Sequence, residues 1–210
     1  MDPSTLTPLN NSMATPSPRP ALVLASASPR RSELLAQAGF LFEVESIPVD
    51  ETRRMNEPPE DFVQRLAREK ATAVFQARAR RSALAVPVLG ADTVVVCNEI
   101  VLGKPSDDED AFRMLRLLSG RTHRVLTGVC LISAAGLETA AESTLVTMLT
   151  PSEDQLRAYI ATGEPRDKAG AYAIQGRAAR WIPRIEGCYF NVVGLPVARV
   201  SAMMEAADEK

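Results

Sequence analysis

The stretch Val86-Pro87-Val88-Leu89-Gly90-Ala91-Asp92-Thr93-Val94-Val95-Val96-Cys97 constrains this chain more than any other. It is β-branched and almost unbrokenly apolar, the pattern of a strand covered on both faces. Such a strand needs helices or a second layer above and below it, so a purely helical bundle is excluded. One residue breaks the pattern. Asp92 is a carboxylate whose burial costs several kcal/mol, roughly, unless it is paired or binds a metal. Functional carboxylates collect at such places. A structural aspartate that caps a turn is the plainer reading.

The neighbouring segments supply the covering layers. Residues 21–25 predict a first buried strand. Ser28 as N-cap, Pro29 at the first helical position and Gly39 past the end predict a short helix. Residues 42–47 alternate as a strand. Pro58 and Pro59 open a long helix to about Arg80, with Phe62, Leu66, Ala73 and Val74 at helical spacing. Asn98-Glu99 predicts a turn into a strand at 100–102. Ser106-x-x-Glu109 predicts a capping box for a helix ending near Ser119, with Gly120 as its stop. Strands at 124–133 and 138–149 flank a turn at Gly136. Ser152-x-x-Gln155 caps another helix, residues 163–176 form a loop, and strands follow near 180–185 and 189–193. A last helix follows Pro196. Strands and helices mix without clean alternation, so the expected class is α/β of the mixed α+β kind, around a mixed sheet.

Residues 1–20 carry Pro3, Pro8, Pro16, Pro18 and Pro20 among Ser, Thr and Asn and are expected to be a disordered tail, with Met13 an alternative start. Asp2 and the short apolar run at 21–25 argue against a secretory signal. The acidic end, 203–210, is expected to fray. That leaves 21–202 as one domain of the 210-residue chain.

Charge narrows the partners. Lys and Arg number 24 against 26 Asp and Glu, which argues against a non-specific nucleic-acid binder but not against a small anionic ligand. Cys97, Cys130 and Cys188 form no zinc pattern and no disulfide framework, which fits a reducing cytoplasm. No apolar run nears the length of about 20 residues that a membrane-spanning helix needs.

Four segments carry chemistry. Ser26-x-Ser28-Pro29-Arg30-Arg31 places two hydroxyls and two guanidinium groups at a helix N-terminus, where anions bind. A solvated basic turn fits the same residues. Gly90-Ala91-Asp92-Thr93 offers the buried carboxylate. Gly103-Lys104-Pro105 follows a hairpin that can bring Lys104 back beside Asp92, and a carboxylate plus a lysine in one cleft suits metal-assisted attack on phosphate. Glu51 and Lys70 can add a second carboxylate and a second cation. The loop Gly163-Glu164-Pro165-Arg166-Asp167-Lys168-Ala169-Gly170-Ala171-Tyr172-Ala173-Ile174-Gln175-Gly176 can enclose a ligand. Its Gln175 offers a donor and an acceptor, matching the edge of uracil or thymine. His123, the single histidine, has no positioned Ser or Cys partner, so a catalytic triad is not indicated. No P-loop lysine motif and no G-x-G-x-x-G occurs.

Taken in order, these segments resemble the Maf family of nucleoside triphosphate pyrophosphatases. The matching runs are Leu24-Ala25-Ser26-x-Ser28-Pro29-Arg30-Arg31, Gly90-Ala91-Asp92-Thr93-Val94-Val95, Leu102-Gly103-Lys104-Pro105 and Leu118-Ser119-Gly120. Further on come Asp167-Lys168-Ala169-Gly170-Ala171-Tyr172, Ile174-Gln175-Gly176 and Val193-Gly194-Leu195-Pro196. The resemblance spans about residues 21–200. It implies an elongated, two-lobed fold like that of inosine triphosphatase, with a central cleft. It implies hydrolysis between the α and β phosphates, a divalent cation (Mg²⁺ or Mn²⁺), a cytoplasmic location and a homodimer.

Carried over by position, Asp92 is the catalytic proton acceptor, with Glu51, Lys70 and Lys104 beside it, and Asp92 and Glu51 face the metal. Ser26, Arg30, Arg31, Thr93, Lys168 and Gln175 bind substrate. The run from Asp167 to Tyr172, with Gln175, resembles the branch acting on dTTP and UTP rather than that acting on 7-methyl-GTP. Two departures, Ala173 for a usual glycine and Cys188 for a usual serine, leave a modified or purine nucleotide open as the substrate. The former strains the loop if its φ must be positive. The family's association with septum formation and division arrest leaves a non-catalytic nucleotide-binding regulator as the rival from another class.

Overall fold

A computed structural model describes residues 21–81 and 86–209, so the expected tail at 1–20 lies outside the described residues. Seven strands join in one sheet: β1 (Leu22–Ala25), β2 (Phe42–Val44), β3 (Val88–Cys97), β4 (Ile100–Leu102), β5 (Thr122–Ser133), β6 (Gly136–Thr147) and β7 (Arg184–Glu186). Their order is β2-β1-β3-β5-β6-β7, with β4 beside β3. β1 pairs in parallel with β2 and β3, and every other pairing is antiparallel. The sheet is therefore mixed, as expected. The helices are α1 (Pro29–Gln37), α2 (Pro59–Arg80), α3 (Asp108–Leu118), α4 (Glu153–Ile160), α5 (Tyr189–Val193) and α6 (Val197–Asp208).

The apolar run becomes β3 because both of its faces are covered. Val88 and Val94 pack with Val63, Leu66, Ala67 and Val74 of α2. Leu89 and Ala91 pack on the other face with Leu34, Leu35, Val200 and Met203 of α1 and α6. Two glycines set how closely α2 approaches. A Cβ on Gly90 would lie 2.1 Å from the Ala67 carbonyl oxygen, and one on Gly128 of β5 would lie 2.3 Å from that of Val63. Main chain thus rests on main chain, and α2 sits as close to the sheet as a helix can.

One edge of β3 changes partner along its length. β1 pairs with Val88–Gly90 through Val23, Leu24 and Ala25, and β4 pairs with Val95–Cys97. Between those pairings, residues 91–94 face neither strand, while β5 continues unbroken on the opposite edge. The sheet forks at this gap. Val95, Leu115, Leu118, Tyr159 and Trp181 form the core of one arm, and Leu22, Leu24, Leu35 and Met203 that of the other. The two-lobed arrangement has this physical origin.

Several sequence expectations are corrected. The 42–47 strand ends at Val44. The cap of α3 is Asp107, whose carboxylate accepts from the Asp110 N–H at 2.8 Å, not Ser106. Residues 177–181 form a 3-10 turn ahead of the short β7, and 189–193 form a helix rather than a strand. α6 is helical to Asp208, with Met203 and Met204 buried. Ala173 is not among the residues with positive φ; in that loop Gly163, Gly170 and Ala171 take it, at 75°, 70° and 60°.

Candidate active site

The fork opens a cleft of about 600 Å³ lined from both arms. β1 ends at Ala25 on its rim, where the chain turns through Ser26 into α1. This is the carboxyl end of a strand at a change of direction, the usual place for a ligand in an open α/β sheet. α1 begins with no acidic residue in its first turn and no side-chain cap from Ser28, so its positive end is left to the cleft.

On the floor, Asp92 points toward α2 and meets Lys70. The lysine occupies a position of the buried α2 stripe where an apolar residue would otherwise sit, and its Nζ lies 2.6 Å from Asp92 Oδ1 and 2.6 Å from Glu51 Oε1. Burial raises the Asp92 pKa above the usual carboxylate range, against the charges of Lys70 and Arg31. Glu51 is also raised by burial, but Lys70, Lys104 and Arg31 outweigh that and hold it below its ordinary value. Two carboxylates with opposite shifts therefore share one ammonium.

The same pair bears on the divalent cation. Among the described residues no group of three or more His, Cys, Asp or Glu converges as a metal cage. Mg²⁺ rarely needs one, since it keeps waters and takes one or two carboxylates together with substrate phosphates. Asp92 and Glu51, already converging on a cation, fit that donor set.

At the rim, Arg30 and Lys168 converge from opposite arms on Asp167. Arg30 Nη1 lies 2.7 Å from Asp167 Oδ2, and Lys168 Nζ lies 2.6 Å from Oδ1. Against a partial burial that raises it, these two cations hold the Asp167 pKa down at about 2. The sequence places Asp167 in the loop without a role of its own, and its position next to Lys168 is the signal that a cation there has an acidic neighbour. Lys104 also lines the cleft and makes no ion pair with a described residue.

Arg31 is in the cleft wall but turned inward. It is 8% exposed, donates from Nε to the Gly194 carbonyl at 2.8 Å, and from Nη1 to the Ala91 carbonyl at 2.8 Å and to Ser26 Oγ at 3.0 Å. Its Nη2 donates to Thr93 Oγ1 at 3.0 Å. Arg31 thus ties Ser26, Ala91, Thr93 and Gly194 together beside the gap, and Ser26, Arg31 and Thr93 all line the cleft. Gln175 stands on an exposed turn over the cleft, and its side chain makes no hydrogen bond to a described residue.

The family described as Maf-like protein matches residues 21–207. A dTTP/UTP pyrophosphatase of Koribacter versatilis is 52% identical over 89% of this chain and 94% of its own length. One of Photobacterium profundum is 48% identical over 88% and 95%, and one of Pelotomaculum thermopropionicum 50% over 88% and 95%. The structure of the Staphylococcus aureus Ham1 protein aligns with 90% of this chain and 99% of that one, at 12% identity and a TM-score of 0.48.

Proposed function

The chain belongs to the Maf family, and from that premise we propose that it is a nucleoside triphosphate pyrophosphatase acting on dTTP and UTP. Water adds across the anhydride between the α and β phosphates, giving the monophosphate and pyrophosphate. The observation that carries the reading is the meeting of Asp92, Glu51 and Lys70 with Arg30, Lys104 and Lys168 around one cleft, in a chain about half identical to enzymes named for that activity. A cleft of about 600 Å³ also suits one nucleotide.

Each group has a task. Lys104, Arg30 and Lys168 neutralise phosphate oxygens. Asp92 takes the proton from the attacking water, a role that its burial favours by raising its pKa toward the working pH. Lys70 keeps Asp92 oriented through Oδ1. A divalent cation held by Asp92 and Glu51 would supply further charge neutralisation between phosphate oxygens. Gln175 offers an amide to the pyrimidine edge. A cytoplasmic homodimer is what the family resemblance supports. No helix among the described residues is long and apolar enough to cross a membrane.

Purified protein with Mg²⁺ or Mn²⁺ and a panel of triphosphates tests this directly. Pyrophosphate should appear from dTTP and UTP, and orthophosphate as the first product would refute the bond assignment. Asp92→Asn should lose about 10²-fold or more in kcat with an unchanged urea midpoint. Saturable nucleotide binding without any turnover would favour the regulator instead.

A further inference from the structure

Gln175 presents a problem of placement. It is exposed, it lies on a turn at 174–176, and among the described residues no side chain holds its amide. Uracil offers a donor and an acceptor along its edge, and cytosine offers them in reverse. A free amide can flip to suit either edge, so what a fixed turn contributes is the position of the amide relative to the phosphates, which decides which base edge comes within reach.

The turn is fixed on both flanks by two side chains from elsewhere. Ahead of Gln175, the Ala173 N–H donates to the Tyr159 hydroxyl at 3.1 Å. Behind it, the Arg177 N–H donates to the Glu164 carboxylate, 3.1 Å from Oε1 and 3.2 Å from Oε2. Tyr159 and Glu164 also hold each other, the hydroxyl donating to Oε1 at 2.9 Å. Gly176 makes the approach possible, since a Cβ there would lie 2.2 Å from Glu164 Oε1. Tyr159 itself is 1% exposed and rests edge-on against Trp181, with ring centroids 5.4 Å apart. The clamp therefore hangs from the core of one arm. Glu164 does one thing more: its main-chain carbonyl accepts from Lys168 Nζ at 2.7 Å. A single residue thus ties the turn carrying Gln175 to a cation at the phosphate end.

We infer that Glu164, locked by Tyr159, is a positioning residue for base selection, fixing where the Gln175 amide stands relative to the phosphate-binding Lys168. This rests on Gln175 reading the base, as proposed above. Its action runs through Gln175 and not through the chemistry.

The test compares kcat/KM for UTP and CTP on the full-length, Mg²⁺-loaded enzyme. Gln175→Ala should lower the UTP-to-CTP ratio about tenfold or more, the scale of a lost bidentate base contact. Glu164→Ala should lower it similarly, and the double variant should fall no further than Gln175→Ala alone. Glu164→Gln keeps an acceptor oxygen and should restore the ratio. Inhibition by inorganic tripolyphosphate, which has no base, should be unchanged in Glu164→Ala, because Lys168 bonds the main chain there. Tyr159→Phe, which frees the Ala173 N–H and unlocks Glu164, should also lower the ratio and serves if Glu164→Ala does not fold. A Glu164→Ala or Tyr159→Phe ratio at the wild-type value, with Gln175→Ala reduced, overturns the inference and leaves the reading of Gln175 standing. A wild-type ratio in Gln175→Ala overturns both. Additive losses in the double variant overturn the claim that Glu164 acts through Gln175.

Discussion

Replacing Gly90 with alanine tests how the fold delivers Lys70. The new methyl would lie 2.1 Å from the Ala67 carbonyl oxygen, 2.8 Å from the Ala71 N–H nitrogen and 2.9 Å from the Ala71 Cβ. These are main-chain and Cβ atoms, which cannot swing aside, so α2 must retreat by roughly 1 Å to reach ordinary contact. Overpacking of that kind costs about 1–3 kcal/mol. Ala67 and Ala71 bracket Lys70, whose Nζ now sits 2.6 Å from each of two carboxylates. The same retreat stretches those bonds toward about 3.6 Å, beyond hydrogen-bond range. Misplacement by 1 Å can cost about 10²-fold in rate, and the lysine's flexible stem recovers part of it. Gly128→Ala makes the control. Its methyl would meet the Val63 carbonyl oxygen at 2.3 Å, about two helical turns from Lys70. Both variants should therefore lose similar stability in urea, while Gly90→Ala loses about ten times more kcat in the pyrophosphate-release assay. Equal rate losses in the two variants, or a fully active and stable Gly90→Ala, would refute the reasoning.

Two other outcomes follow from charge. His123 is buried, with Nε2 2.8 Å from the Tyr172 hydroxyl, and desolvation lowers its pKa to about 4. The unfolded chain binds a proton near pH 6.5 that the native protein refuses until about pH 4. The stabilisation is therefore complete above about pH 6.5 and falls away by about 3 kcal/mol as pH drops through that window. Urea midpoints at pH 7, 5.5 and 4.5 should decline, and His123→Leu should flatten the decline; a flat wild-type profile would contradict it. Asp167→Asn should tighten inhibition by pyrophosphate roughly threefold, the scale of one ion pair near solvent, because Arg30 and Lys168 lose the carboxylate that competes with phosphate. An inhibition constant that weakens instead would mean that Asp167 organises the two cations rather than competing for them.

What the sequence made legible follows what local chemistry decides. β3 was readable because burial on both faces leaves an unbroken apolar run, and the Ser152–Gln155 capping box is present with both of its bonds. The helix at 189–193 was not. Tyr-Phe-Asn-Val-Val has the propensity of a strand, but Asn191 is buried and donates from Nδ2 to the Val125 carbonyl and to Thr144 Oγ1, and tertiary contacts of that kind override local preference. Among site residues, Asp92 announced itself as a charge in an apolar strand. Arg31 did not announce its inward turn, since nothing local separates an arginine aimed at a ligand from one aimed at main-chain carbonyls. The gap beside β3, which frees the Ala91 carbonyl for Arg31, is bounded on one side by the local hairpin to β4 and on the other by the pairing of Val88 with the remote Val23.

That gap also explains how a nearly neutral chain can hold a polyanion. Each arm brings cations to the cleft, and most arrive already paired: Lys70 with Glu51 and Asp92, Arg30 and Lys168 with Asp167. Unpaired, these charges would repel one another across a narrow opening and work against closing the fork. Paired, these three cations and three carboxylates cancel, and Arg31 and Lys104 leave the cleft with a positive surplus. On the proposed reading, a phosphate takes the place of an internal carboxylate. Lys104 makes no ion pair with a described residue, although its charge is felt by Glu51. On that reading, Lys104 can meet a phosphate without breaking a described ion pair, whereas Arg30 and Lys168 must first release Asp167.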